Sequence, residues 1–94
     1  MYIILVYDII FTDTKEGSKA LRRIFKTCKR YLHHIQNSVF EGEISNAKYI
    51  EMSYELAKYI RKDMDSVIVF KQDSGKWLRK DFLGIEDDKT TNFL

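Results

Sequence analysis

The chain has 94 residues and a mass of 11.2 kDa, which is one domain with a single modest core. It is 45% hydrophobic, 32% charged and 14% aromatic, which is typical of a globular protein and excludes disorder. Its single cysteine excludes an intramolecular disulfide and a cysteine-rich zinc site. The apolar N-terminal run is too short to cross a membrane, is broken by Asp8 and lacks a basic flank, so we expect a cytoplasmic protein with no membrane contact.

The first half of the chain predicts a strand, a helix and a hairpin. Residues 2–10 are apolar on both faces and rich in β-branched and aromatic side chains, which is typical of a strand in the middle of a sheet. After a loop, Ser18 is a candidate N-cap for a helix over residues 19–33, which follow helical periodicity. Residues 34–44 predict one strand, or two short strands that turn around Asn37.

The second half predicts a helix and one or two strands. Ser45 or Asn46 is a candidate cap for a helix over residues 47–62, and residues 65–71 form a strand. A turn then leads to a last short strand over residues 77–84. The mixed-charge solvent face of the second helix, with expected pairs between its glutamates and its last two lysines, comprises Lys48, Glu51, Glu55, Lys58 and Lys62.

This element order predicts an α+β fold, a ferredoxin-like βαββαβ sandwich with an extra C-terminal strand, in a single domain over residues 1–94. The residues from about 86 onward are expected to form a loosely held tail. Two helices cover one face of the sheet, and a chain this short has nothing left for the other face. A homodimer is the simplest way to cover it.

Asp8 is the most informative single residue, because a carboxylate inside an apolar strand loses its hydration. This is costly unless the carboxylate has a partner or a function. One interpretation is a strand-end aspartate that is partly solvated or accepts backbone N–H bonds. The other is an oxygen ligand for Mg²⁺ or Mn²⁺. One carboxylate per chain is a small number of ligands for a metal ion. A two-fold axis that brings Asp8 of each chain together would supply two carboxylates.

The first helix carries a basic stripe. Residues 1–40 contain seven basic and three acidic residues, a net charge of +4, whereas residues 41–94 have a net charge of −2. A solvated helix face would explain a charge run, but a stripe of a single sign favours a surface that binds phosphate groups. The stripe comprises Lys19, Arg22, Arg23, Lys26, Lys29, Arg30 and His33.

Several neighbouring residues have a structural interpretation beside a functional one. His33 and His34 would point about 100° apart on a helix and could not chelate one ion, so they favour the helix dipole or contact phosphate. Cys28 lies on the apolar arc of the first helix and is most simply a core residue. Tyr7 is either a core residue or a positioning hydroxyl beside Asp8.

Four segments resemble the small CRISPR-associated endoribonuclease family, the partner of the Cas integrase in spacer acquisition. They lie within residues 1–71 in the order and spacing of the family, and the third is fairly specific. The segments are Tyr7-Asp8, Arg23-Ile-Phe-Lys-Thr-Cys, Gln36-Asn-Ser-Val-Phe-Glu-Gly and Asp65-Ser-Val-Ile-Val.

The resemblance implies a ferredoxin-like homodimer in which the C-terminal segment, residues 77–94, completes the sheet of the partner chain. It implies divalent-metal-dependent cleavage of phosphodiesters in RNA or duplex DNA, in the service of antiviral defence. Asp8 of both chains would share Mg²⁺ or Mn²⁺ across a cleft, with Tyr7 as a second catalytic residue. The Cas integrase is the implied protein partner.

The resemblance also implies roles for the residues around the cleft. Tyr7 and Phe40 match positions that shape it, and Gln36 and Ser38 match its wall. His34 stands where many relatives carry arginine, which would make its contact with phosphate pH-dependent. Lys15 and Lys19 are the nearest substitutes for an arginine that some relatives carry in the loop after the aspartate. The expected nucleic-acid-binding residues are Lys19, Arg22, Arg23, Lys26, Lys29, Arg30, His34, Gln36, Ser38 and Phe40.

Three alternatives remain open at the level of sequence. The chain could be a non-catalytic dimer that grips duplex DNA through the basic stripe and docks the integrase. It could belong to the virulence-associated D toxin RNases, which share the fold and dimerisation. It could also be a ferredoxin-like regulatory domain without a nucleic-acid ligand, although this leaves Asp8 and the acid-free stretch unexplained.

Overall fold

The structure, a computed structural model, describes residues 1–72, 79 and 81–84. These form one four-stranded antiparallel sheet in the order β2-β3-β1-β4, with two helices. The predicted ferredoxin-like βαββαβ order is confirmed. The elements are β1 (Tyr2–Asp8), α1 (Lys15–Tyr31), β2 (His33–Gln36), β3 (Val39–Glu43), α2 (Asn46–Ala57) and β4 (Ser66–Gln72).

The central position of β1 follows from its apolar sequence, since it pairs with β3 on one side and with β4 on the other. Alternate side chains of β1, namely Ile3, Leu5 and Tyr7, are buried. They pack in one core with buried side chains of the helices, such as Ile24 of α1 and Met52 of α2. Both helices therefore cover the same face of the sheet, as predicted.

Helix α1 begins four residues earlier than predicted, and Ser18 is not its N-cap. The cap is Thr14, whose hydroxyl accepts a hydrogen bond from the Gly17 N–H at 3.1 Å and donates one to the Phe11 carbonyl at 2.6 Å. A Cβ on Gly17 would lie 2.0 Å from that same carbonyl oxygen, so only glycine permits this tight entry. The helix ends at Tyr31, and the predicted helical position of His33 is wrong because His33 begins β2.

Helix α2 has the predicted cap, with the Ser45 hydroxyl accepting from the Lys48 N–H at 3.1 Å, but it ends at Ala57 rather than at residue 62. Of the predicted pairs between its glutamates and its last two lysines, Glu55 with Lys58 is confirmed, whereas Glu51 pairs with Lys48 instead. Lys48 pairs with Glu51 and Lys58 with Glu55, each at 3.0 Å. Both pairs are on the surface, where water screens the charges and such contacts add little to stability.

A buried ion pair holds the chain between α2 and β4. The Asp65 side chain is fully buried, and Arg61 donates to it from Nε and Nη2 at 2.8 Å each and from its backbone N–H at 2.9 Å. These hydrogen bonds from Arg61 hold the pKa of Asp65 below its usual range. Arg61 also donates to the Ile10 carbonyl, so this pair ties the loop that follows Asp8 to the segment between α2 and β4.

The face of the sheet away from the helices exposes apolar side chains of β4, with Ile68 51% and Phe70 56% accessible. They lie opposite Val6 and Ile4 of β1 in the strand register. The predicted strand over residues 77–84 and the predicted tail fall mostly outside the described residues. Residues 79 and 81–84 of this segment are described and do not form a strand. Neither α1 nor α2 is long and apolar enough to cross a membrane.

Candidate active site

A groove of about 980 Å³ opens at the end of β1, between α1 and the turn that joins β2 to β3. Its position follows from the fold, since the end of a central strand meets the exposed side of the helix that follows it. It brings together residues that are far apart in sequence. The predicted site residues that line it are Tyr7, Asp8, Arg22, Lys26, Lys29, His34 and Ser38.

Asp8 is the last residue of β1, and its side chain is exposed. It pairs with Ser66 at the start of β4, where the ladder ends. Strand alternation places it on the same side of the sheet as Ile4 and Val6, so it stands where the groove meets the exposed apolar face. The carboxylate is therefore open to solvent and to a ligand, and it needs no buried partner.

Tyr7 is 5% exposed and packs with its ring centroid 6.1 Å from that of Phe40. Burial, with a smaller contribution from Cys28, raises the pKa of its hydroxyl to about 12. The hydroxyl therefore keeps its proton and can donate a hydrogen bond but cannot act as a base. Its backbone N–H donates to the Ser38 carbonyl at 3.1 Å, which fixes the end of β1 against the β2–β3 turn.

The basic stripe of α1 divides between two pockets. Arg22 lines the Asp8 groove, whereas Arg23 and Arg30 line a second pocket of about 380 Å³ between α1 and α2. Lys26 and Lys29 border both pockets. All five of these cationic side chains are on exposed residues, so their charges are available to an anionic ligand.

The second pocket has a different character from the groove. Glu55 and Tyr59 contribute to its wall, and the Arg23 guanidinium lies 5.8 Å from the centroid of the Tyr59 ring. The pocket contains neither Asp8 nor any other predicted catalytic residue. Lys19 is exposed on α1 but borders neither pocket.

His34 is held by aromatic rings on two sides. Its ring centroid lies 4.9 Å from that of Phe25 in an edge-on contact and 4.8 Å from that of Phe40. Its Nε2 lies 2.9 Å from the Asn37 carbonyl oxygen. Because a carbonyl only accepts, Nε2 must carry the proton. Asn37 has a φ of 36°, a left-handed conformation that asparagine tolerates and that shapes this turn.

Two predicted nucleic-acid contacts are placed elsewhere. Phe40 is fully buried in the core, so its assignment as a direct contact is wrong, and its role is to support the rings of Tyr7 and His34. Gln36 is exposed at the end of β2 but does not line the groove.

Sequence reasoning also missed residues that shape the site. Asn37 was considered only as a turn residue, although its carbonyl fixes the tautomer of His34. Arg61 had no predicted role, and its contact with the Ile10 carbonyl secures the chain two residues after Asp8. The spacing of Arg61 and Asp65, four residues apart, was the available signal.

A metal would need oxygen ligands here. Hard divalent cations prefer carboxylate oxygens, and Asp8 supplies an exposed one. Within residues 1–72, 79 and 81–84, no three His, Cys, Asp or Glu side chains cluster closely enough to hold an ion. Asp8 is the type of ligand that a divalent cation prefers, but the described residues of one chain supply too few such ligands to hold the ion.

Comparison with known proteins gives the family. A model of the family described as CRISPR associated protein Cas2 matches residues 1–80. The chain is 53% identical over 94 residues to the CRISPR-associated endoribonuclease Cas2 of Fusobacterium nucleatum, covering all of this chain and 87% of that protein. It is 35% identical to the protein of the same name from Dictyoglomus turgidum over the full length of both.

The fold agrees with this result. The crystal structure of Streptococcus pyogenes Cas2 at pH 6.5 superposes with a TM-score of 0.77 at 31% identity, covering 89% of this chain and all of that one. The family match favours the predicted CRISPR role over the toxin and regulatory alternatives. The chain belongs to the Cas2 family of CRISPR-associated proteins, whose relatives named here are endoribonucleases.

Proposed function

We propose that this chain is a metal-dependent endonuclease that cleaves phosphodiester bonds in the groove beside Asp8. The observation that carries the proposal is the meeting of an exposed carboxylate with three cationic side chains, Arg22, Lys26 and Lys29, in one groove. The cations bind the phosphates of the substrate and orient a phosphodiester toward the carboxylate. The Tyr7 hydroxyl keeps its proton and serves as a donor at the edge of the site.

Asp8 of two chains holds Mg²⁺ or Mn²⁺ in this proposal. A bound divalent ion would supply Lewis-acid stabilisation of the charge that develops on the phosphate oxygens. The apolar face formed by Ile68 and Phe70 of β4 with Ile4 and Val6 of β1 supports a homodimer, because it is exposed in the single chain and lies on the same side of β1 as Asp8. A two-fold axis near the end of β1 would therefore pair the two carboxylates.

The test compares the wild type with Asp8→Asn on labelled RNA and on labelled duplex DNA, each with Mg²⁺ and with a chelator. Asn preserves the size of the side chain and removes its charge. We expect cleavage by the wild type only with the metal, and a loss of at least about 100-fold in the variant. Equal cleavage by both proteins, or full activity with the chelator, would contradict the proposal.

A second candidate function is a scaffold that holds duplex DNA for the Cas integrase during spacer acquisition. The pocket between α1 and α2 supports it, since Arg23 and Arg30 present charge away from Asp8. Arg23→Glu would then weaken DNA binding and reduce its dependence on salt, whereas Asp8→Asn would leave binding intact. An unchanged affinity and salt slope in Arg23→Glu would exclude this pocket from the grip.

A further inference from the structure

We propose that His34 Nδ1 accepts the proton of the attacking water when a phosphodiester is cleaved in the Asp8 groove. This inference rests on the proposed nuclease function and adds a catalytic residue to it. It starts from the hydrogen bond between Nε2 and the Asn37 carbonyl, at 2.9 Å. Since Nε2 holds the proton, the lone pair of the neutral ring is on Nδ1.

The surroundings of His34 keep the ring in one place. Phe25 and Phe40 pack against it with centroid separations of 4.9 and 4.8 Å, and the Asn37 carbonyl holds one end. No other hydrogen bond to the His34 ring occurs within the part of the chain that the structure describes. A base that is oriented by a third group through its second nitrogen is the arrangement that general-base catalysis requires.

Among the titratable residues that line the groove, His34 is also the one best able to accept a proton. Arginine and lysine carry their protons at neutral pH, so Arg22, Lys26 and Lys29 cannot accept one. The pKa of Tyr7 is about 12, so its hydroxyl is also protonated. Asp8 and His34 are the remaining titratable groups that line the groove among the described residues. If Asp8 is committed to a metal ion, His34 is the group left to take the proton.

Hydrolysis of the phosphodiester transfers one proton from the attacking water to His34. The water oxygen forms a bond to phosphorus, its proton passes to Nδ1, and the bond from phosphorus to the leaving oxygen breaks. The leaving oxygen takes a proton from solvent, and the imidazolium later returns its own proton to solvent. The charged groups that line the groove together with the ring are the three cations of α1 and, from β1, Asp8, while Phe40 of β3 and the β2–β3 turn contribute none.

The chain supplies a matched control in the preceding residue. The sequence assigned His33 to the basic stripe of α1, but His33 is exposed in β2 next to His34, so its side chain lies neither on that helix face nor in the groove. His34→Gln is the test variant, because its amide nitrogen can still donate to the Asn37 carbonyl while no basic nitrogen remains. His33→Gln makes the same chemical change outside the groove.

We expect His34→Gln to lower kcat by about 100-fold or more, with KM changed less than about threefold. The wild-type log kcat should rise with pH and then level off, because only the neutral ring accepts a proton, and this rise should vanish in His34→Gln but persist in His33→Gln. Imidazole added to His34→Ala should restore part of kcat. Nitrogen NMR of the wild type at about pH 8 should show the proton of neutral His34 on Nε2.

Three results would overturn the inference. One is a wild-type pH profile retained by His34→Gln, and another is a rise in KM with kcat unchanged, which would make His34 a phosphate contact only. The third is a proton on Nδ1 in the neutral ring. The nitrogen NMR measurement that detects it uses the wild type, so it needs neither cleavage activity nor a folded His34→Ala variant. If Asp8→Asn is inactive while His34→Gln keeps the wild-type profile, only this inference fails. If Asp8→Asn is fully active, the proposed metal site is wrong, and the pH profile of kcat in His34→Gln alone decides whether His34 is the base.

Discussion

Replacing Arg61 by leucine should destabilise the chain more than any surface charge substitution. The change removes a guanidinium that donates two hydrogen bonds to Asp65 and one to the Ile10 carbonyl, and it leaves only the hydrogen bond from the backbone N–H of residue 61 to Asp65. The Asp65 side chain has no solvent exposure, so its carboxylate would be left buried without its cation. Removing one partner of a buried pair in this way costs about 3–5 kcal/mol.

The assay is urea unfolding followed by circular dichroism, with Lys48→Leu as the control. Lys48 also pairs with an acidic residue, at 3.0 Å, but both side chains are more than half exposed. Because both charges of this pair stay in water, that variant should unfold at nearly the same urea concentration as the wild type. In thermal unfolding, a loss of 3 kcal/mol in a domain of this size corresponds to a fall of about 12 °C or more.

The stability contributed by the Arg61–Asp65 pair also depends on pH. Arg61 lowers the pKa of Asp65, so in the wild type this stabilisation is present above the unfolded carboxyl pKa of about 3.9 and is lost as pH falls through the lower folded value. In Arg61→Leu the lone buried carboxyl has a raised pKa instead, and it takes up a proton as pH falls. The difference in stability between variant and wild type should therefore shrink between about pH 7 and about pH 5. A loss below about 1 kcal/mol at pH 7, or one that does not change with pH, would refute the argument.

Further predictions concern the helix cap, the core and the outer face. Thr14→Ala should cost about 1 kcal/mol of unfolding free energy and Ser18→Ala clearly less, since only Thr14 caps α1; equal losses in urea unfolding would contradict this. Phe40→Ala should cost about 3–5 kcal/mol because the ring is fully buried, and a loss within about 0.5 kcal/mol would instead suit a surface contact. Phe70→Glu should shift sedimentation toward the monomer and reduce cleavage, and an unchanged dimer would remove β4 from the interface.

The sequence was sufficient for the fold because each local pattern agreed with the whole. The apolar run of β1 required a central strand, and the turn at Asn37 separated two short strands as predicted. The start of α1 was missed because both Thr14 and Ser18 can cap a helix and serine is usually the better cap. The choice between them depends on Gly17, which lets the first turn approach the Phe11 carbonyl.

The candidate site was predictable in its residue types more than in its arrangement. Helical periodicity placed Arg22 and Arg23 on one stripe, but the position of α2 decides that they line different pockets. Phe40 looked like a cleft residue in its motif, and only the packing of β3 under the helices shows that it is buried. The position of Asp8 was predicted only in part, since the expected strand over residues 2–10 placed it inside the strand, whereas β1 ends at Asp8 and leaves its side chain exposed.

The two lysines that border both pockets have a thermodynamic consequence. An anion that settles in the Asp8 groove neutralises part of the charge of Lys26 and Lys29, which also attracts anions to the pocket between α1 and α2. Two independent anions should therefore bind with negative cooperativity, and by linkage each should weaken the other by the same factor. The coupling should fade as added salt shortens the electrostatic screening length to a few ångströms. A single continuous polyanion that spans both pockets would avoid this penalty, since its second contact is made at high effective concentration.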